Sequence, residues 1–182
     1  MQLEFVPGKG PQDFIDSYKE IEQTSTFNVI LSNEAVSMSH LSRWIDSMMV
    51  SLDSEVDKKK REKILENCGR NCISRDLIKK AQACRKSARN MDEFLDRLAK
   101  NWSHLQRNGK KVHVVYEKCY CPLLRGHSGA LSKTFCNCSR GYIMELFESA
   151  LQTPVQVTLE KSIRHGDNIC RFEVHLPNSL KM

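Results

Sequence analysis

Along the first two-thirds of the chain the apolar positions recur every three or four residues. Along the last third they recur every second residue. The first period belongs to helices and the second to half-buried strands. Phe14, Ile15, Tyr18 and Ile21 mark one face of a first predicted helix, opened by Pro11 with Asp13 near the positive end of its dipole. A break at 24–32 holds a short extended FNVIL. Asn33 is a predicted N-cap for a second helix, with apolar residues at Met38, Leu41, Ile45, Met48 and Leu52 and Trp44 beside them. The charged stretch DSEVDKKKREK leads into a third helical segment. Ser74 caps the next helix, whose stripe is Leu77, Ala81, Cys84 and Ala88. Met91, Phe94, Leu95, Leu98, Trp102 and Leu105 give the cleanest 3.6-residue period, and Asn108-Gly109 ends that helix.

The period then changes. VHVVYEKCYC is rich in β-branched and aromatic residues and predicts a strand; ALSKTFC predicts a second, after a loop with Gly126 and Gly129. Ser139 is the expected cap of a helix through Tyr142, Leu146, Phe147 and Leu151, which Pro154 stops. Val155, Val157 and Leu159 alternate with polar residues, and so do Cys170, Phe172, Val174 and Leu176 after a His165-Gly166-Asp167-Asn168 turn. The expectation is an α+β fold in one domain over 1–182: a mainly helical portion at 1–108, then β-β-α-β-β at 109–182 with antiparallel pairing.

Composition narrows the function. At 182 residues with 40% apolar and 27% charged residues, the chain reads as soluble and globular. No apolar run approaches the roughly 18 residues of a membrane span, and MQLEFVPGKGPQDF lacks the form of a signal peptide. The expected location is therefore cytoplasmic, with no membrane partner, and cysteines there stay reduced. The net charge is +6 but uneven: from Lys58 to Lys111, 17 Lys and Arg face 6 Asp and Glu. With no nucleic-acid motif alongside, this basic stretch reads as a solvated helix face, and no direct nucleic-acid partner is expected.

The eight cysteines are the candidate chemistry. Cys119 and Cys121 form one Cys-x-Cys pair, and Cys136 and Cys138 another. Residues two apart on a strand point the same way, so a hairpin of the two segments would set the thiol pairs side by side. Four converging thiolates make a tetrahedral zinc site, with an iron–sulfur cluster or no metal as the alternatives. Cys138, expected at a helix N-terminus, gains thiolate character from the dipole. Cys170 is explained either by packing beside Phe172 or as a further ligand. Cys84 fits the apolar stripe of its helix. Cys68 and Cys72, one helical turn apart, could be a half-site, a redox pair, core, or part of a joint site with the central four. His127, between the two pairs, is the best substitute ligand. No Ser-His-Asp order, HExxH, P-loop or GxGxxG occurs, so no catalytic residue can be named.

CNCSRGYIMELFESALQTPVQVTLEKSIRHGDNICRFEVHL resembles the end of the 4-vinyl reductase, or hydrocarbon-binding, domain. The resemblance lies in Gly141-Tyr142 after a cysteine, the Pro-Val-x-Val strand, Gly166-Asp167 and Cys170-x-Phe172, and it covers about residues 112–176. It implies helices packed on an antiparallel sheet, similar to subunits of the TRAPP tethering complex. It implies a module that binds small molecules, often as a homodimer, in sensory regulators. It also implies that Cys138 and Cys170 match zinc-ligand positions. The chain departs at Ser162 and Leu159, where zinc-binding members carry cysteine and glutamate. The thiazoline-carboxylate hydrolases share this general C-terminal look.

Two readings follow. One is a small-molecule module for an apolar or aromatic ligand, with a cysteine-bound structural metal and Trp44, Trp102, Tyr142 and Phe147, with Phe94, as candidate pocket lining. The other is a small metal- or thiol-dependent enzyme such as a hydrolase, which needs an open coordination position.

Overall fold

The computed structural model describes residues 34–125, 127, 129 and 131–177. The predicted first helix, FNVIL and the Asn33 cap lie outside the described residues. Among these residues the helices are α1 (Glu34–Glu55), α2 (Lys58–Cys72), α3 (Arg75–Ser87), α4 (Met91–Asn101) and α5 (Asn137–Leu151). The strands are β1 (Leu105–Asn108), β2 (Lys111–Tyr116), β3 (Gln156–Lys161) and β4 (Cys170–His175). Short 3-10 turns stand at Pro122–Leu124 and Ile163–His165.

Local chemistry explains the helix starts. Asp57, Ser74 and Asn90 accept backbone N–H bonds from Lys60, Leu77 and Glu93 at 3.0, 3.3 and 2.9 Å. Each such cap is worth about 1 kcal/mol. Glu93 also accepts from the Arg89 backbone at 2.9 Å and from the Arg97 and Arg89 side chains at 2.8 and 3.1 Å. The Arg89 amide, then the two guanidinium groups, hold its carboxyl down at about 2. A depressed carboxyl stabilises the fold above its ordinary value of 4.5 and loses that contribution as pH falls towards 2. Glu93→Gln should therefore lower Tm at pH 7 and flatten the fall in Tm between pH 4.5 and 2, measured by thermal melts across that range.

The sheet is antiparallel in the order β1-β2-β4-β3. Val112, Val114, Phe172, Val174 and Val157 point to one face, where they meet Ile143, Leu146 and Phe147 of α5 and Phe94 and Leu98 of α4. Burying such side chains supplies about 1.5–3 kcal/mol each. The α+β class and the β-β-α-β-β order hold, yet the strands of the first hairpin are not the predicted ones. α4 ends at Asn101, and Leu105 leaves the helical stripe to open β1 opposite Val114. Gly109, at φ +59°, makes the two-residue turn with Lys110. β2 stops at Tyr116, so Cys119 and Cys121 are not on it. Leu131 to Cys136, within the predicted strand ALSKTFC, is not a strand. Leu131 and Phe135 fall into a second core with Ile45, Met49, Leu65 and Leu124. Their i, i+4 spacing is a helical signal, realised as turns that run into α5.

α2 and α5 cross with their backbones in contact. A Cβ on Gly69 would stand 1.7 Å from the Cys138 carbonyl oxygen, and one on Gly141 would stand 1.9 Å from that of Glu66. Gly69 thus makes the crossing possible rather than weakening its helix. Beside it the buried Glu66 meets Arg140 at 3.1 Å, Arg70 at 3.7 Å and Lys63. Burial alone would raise its carboxyl, but these three cations outweigh it and hold it below the usual range. Arg70 continues to Glu148 at 2.5 Å and Glu145 at 3.2 Å on α5. No described helix is long and apolar enough to cross a membrane.

Candidate functional site

The α2–α5 crossing and the end of the sheet enclose a cavity of about 320 Å³. Six cysteines line it, delivered by four parts of the chain. Cys119 and Cys121 come from the segment after β2, Cys136 and Cys138 from the start of α5, Cys170 from β4 and Cys72 from the last turn of α2. Cys68, one turn back from Cys72, lies within electrostatic range of Cys138. Aromatic rings line it among the cysteines. His104 lies 4.7 Å from Tyr116 and 5.0 Å from Tyr120, centroid to centroid, and Trp102 packs edge-on to His104 at 6.2 Å. Tyr142 and Phe135 complete the lining, with Lys118 and Arg164 as its cations.

Several sulfurs have donors aimed at them. The Ile163 amide approaches the Cys170 sulfur at 3.4 Å. The Leu123 and Leu124 amides donate to Cys121. Ser162, fully buried, places its hydroxyl 3.1 Å from the Cys136 sulfur. Ser162 is the position where the resemblance expects a cysteine ligand, and it contacts a neighbouring sulfur instead. Leu159, the other point of departure, packs against the main core.

Burial pushes the Cys136 thiol up to about 11 and the Cys138 thiol up to about 12, with the neighbouring cysteines adding to both. The expected help of the α5 dipole to Cys138 does not prevail: Cys138 is in the first turn, but desolvation is the larger effect. Without a positive charge between them these thiols stay protonated at neutral pH and are poor nucleophiles. A bound metal ion is such a charge, and soft thiolates select zinc or iron–sulfur chemistry.

The segment that carries Cys119 and Cys121 is held from outside. Arg164 donates to the carbonyls of His127 and Leu124 at 2.9 and 3.3 Å. His127 bonds Asp46 of α1 at 2.9 Å, and Thr134 donates to Asp53 at 3.2 Å. His127 is thus engaged with α1 and does not line the cavity, so it is no substitute ligand. Cys84 is away from the cavity too, in the main core and 3.6 Å from the Asn101 amide.

Of the aromatic candidates, Trp102 and Tyr142 face the cavity. Trp44 does not: it is 62% exposed on α1, because Ile45 and Met49 form the buried side of that helix. Phe147 and Phe94 meet edge-to-face at 6.5 Å inside the main core. His104, Tyr116, Tyr120 and Arg164 were not legible as site residues, since each depends on where the chain turns after its strand. Elsewhere, His113, Glu160 and Glu173 bring ligand atoms within 4.8 Å of one another on the outer face of the sheet. Lys111 and Arg171 already pair with these two carboxylates at 3.2 and 2.5 Å.

Fold and site together define an α+β protein with a small cavity lined by thiols and aromatic rings. The chain belongs to a family of unknown function, DUF6144, whose model matches residues 15–181. No curated protein matches it. It is similar to the solved structure of the phenol-responsive sensory domain of the transcription activator PoxR with phenol. That likeness is 12% identical at a TM-score of 0.44, covering 74% of this chain and 73% of that one.

Proposed function

We propose that this protein is a small-molecule-binding module of the sensory kind. It takes an apolar or aromatic ligand into the cavity and holds a metal, zinc or an iron–sulfur cluster, through the cysteines of its wall. The observation that carries this reading is a lining of aromatic rings and thiols around about 320 Å³, the lower end of the range for ligand cavities. Trp102, Tyr116 and Tyr142 supply flat apolar surface, and the Arg164 and Lys118 cations can orient a polar group on the ligand. The metal's contribution is structural: it ties the segment after β2, the α5 start and β4 into one wall. Cys119, Cys121, Cys136, Cys138 and Cys170 are its proposed ligands. The resemblance to the hydrocarbon-binding domain supports the same reading and adds a second copy of the chain as partner.

Titration of the full chain with small aromatic and aliphatic compounds, followed by tryptophan fluorescence, tests the binding. Saturable quenching should vanish in Trp102→Phe and persist in Trp44→Phe. Tyr142→Ala should weaken affinity about tenfold, a loss of about 1.4 kcal/mol. If no compound class saturates, the binding reading falls. A cobalt-substituted centre with an open, water-accessible position would favour the hydrolase instead.

A further inference from the structure

The outer face of the sheet carries a second group of metal-ligating side chains, apart from the cysteines. Alternation puts Val112, Val114, Phe172 and Val174 against the helices, and so turns His113 of β2 and Glu173 of β4 to the other face. These two are direct partners in the strand register, so their side chains leave neighbouring points of the backbone. Glu160 of β3 stands where the pairing with β4 shifts, between Leu159 and Lys161. An irregularity of this kind re-aims the side chain it carries. One ligand atom from each of the three residues lies within 4.8 Å of the other two. We propose that His113, Glu160 and Glu173 bind one divalent first-row transition ion across three strands of the sheet.

The imidazole is the partner that points to a metal. Two glutamates on a sheet face need none, since Lys and Arg can pair with them. His113 is different: it is only 9% exposed, and its Nε2 is buried with no hydrogen-bond partner. Glu160 Oε2 stands 3.7 Å from it, beyond hydrogen-bond distance. A buried polar nitrogen left unpaired is costly and calls for a reason. An ion bound between Nε2 and the carboxylates supplies it. With metal bonds near ~2.0–2.2 Å, ligand atoms on one ion stand about 3–3.4 Å apart. Two flexible Glu side chains can reach that spacing from within 4.8 Å.

The resident cations leave room for an ion. Lys111 meets Glu173 at Oε1 and Arg171 meets Glu160 at Oε2. Each pair engages one oxygen, and a carboxylate has a second to offer. The Lys111 side chain is 63% exposed, and pairs so open to water hold little energy against a divalent ion. The donor set selects the class. Imidazole suits first-row transition ions and carboxylates suit hard ones, so Mn²⁺, Fe²⁺ and Zn²⁺ fit better than Ca²⁺. Two carboxylates balance the charge of the ion, and three protein ligands leave positions for water. The site lies on the face away from the helices, and it depends neither on the thiols nor on the organic ligand.

The test is titration of the full chain with Mn²⁺, chosen because carboxylates bind it and thiolates do not. Electron paramagnetic resonance reads the loss of the free-ion signal. The expected result is saturable binding of one Mn²⁺ per chain and a Tm that rises with Mn²⁺ concentration. His113→Gln and Glu173→Gln should each weaken binding at least tenfold, with circular dichroism showing both variants folded. Tryptophan quenching by the organic ligand should be the same in His113→Gln as in the wild type. No saturable binding by the wild type up to millimolar Mn²⁺ overturns the proposal and leaves His113 as an ion-pair partner of Glu160. Equal binding by wild type and His113→Gln overturns it as well, because the ion then sits elsewhere. If His113→Gln does not fold, Glu160→Gln/Glu173→Gln at the two surface glutamates decides in its place.

Discussion

A Gly69→Ala chain should open the α2–α5 crossing and melt several degrees below the wild type. Alanine normally stabilises a helix interior by up to about 1 kcal/mol over glycine. Here the added Cβ would sit 1.7 Å from the Cys138 carbonyl oxygen, and the obstacle is backbone, not the end of a flexible side chain. α2 and α5 must separate by well over an ångström, which also pulls Glu66 from Arg140 and Arg70 from Glu148. Overpacking typically costs about 1–3 kcal/mol and sometimes more, so the clash exceeds the helix gain. For a domain of this size a net 2 kcal/mol lowers Tm by roughly 4–8 °C. Gly141→Ala, 1.9 Å from the Glu66 carbonyl oxygen, should behave alike. Gly109→Ala, with open space around it, should cost only the strain of its positive φ. Circular dichroism melts of the three variants check this. Equal Tm values for Gly69→Ala and wild type would remove the close crossing from the account.

The second large effect belongs to the metal. Cys136→Ser/Cys138→Ser removes two proposed ligands at the point where α5 begins. Structural zinc in small peptides contributes about 10–16 kcal/mol of apparent binding energy, as large as the whole net stability of about 5–15 kcal/mol of an ordinary domain. The double variant should purify with less metal, melt at a much lower temperature and respond less to chelator. The wild type should drop towards the same Tm when chelator is added. Cys84→Ser should cost no more than an ordinary core substitution. A double variant that melts like the wild type, with and without chelator, would mean that no metal supports the fold.

Much of the fold was legible because the rules behind it are local. The Leu77–Ala81–Cys84 stripe, the Ser74 cap and the Val155–Leu159 and Cys170–Leu176 alternations depend only on the periods 3.6 and 2 and on side chains near their own backbone. The errors arose where two local signals competed. Leu105 fits the stripe of α4 and also fits a strand opposite Val114; the Gly109 turn decides for the strand. ALSKTFC has the composition of a strand, but burying Leu131 and Phe135 beside Met49 and Leu124 requires a turn. The notion of two thiol pairs side by side on a hairpin therefore fails, although the same four cysteines meet at the cavity.

The sequence by itself determined the α+β class, the helical first part, the last two strands and the concentration of cysteines in the central segment. Each follows from residue type and spacing over a few neighbours. Only the tertiary structure decided which thiols face one another. Cys68 and Cys72 are some fifty residues from Cys121 in the chain, and they reach its neighbourhood because α2 and α5 meet through Gly69 and Gly141. Trp44 and Trp102 are both tryptophans at helical spacing, yet one faces outward and the other faces the cavity. Periodicity sets which side of an element is apolar. What that side touches is settled by how closely two backbones can approach, and that is a property of residue pairs far apart in the chain.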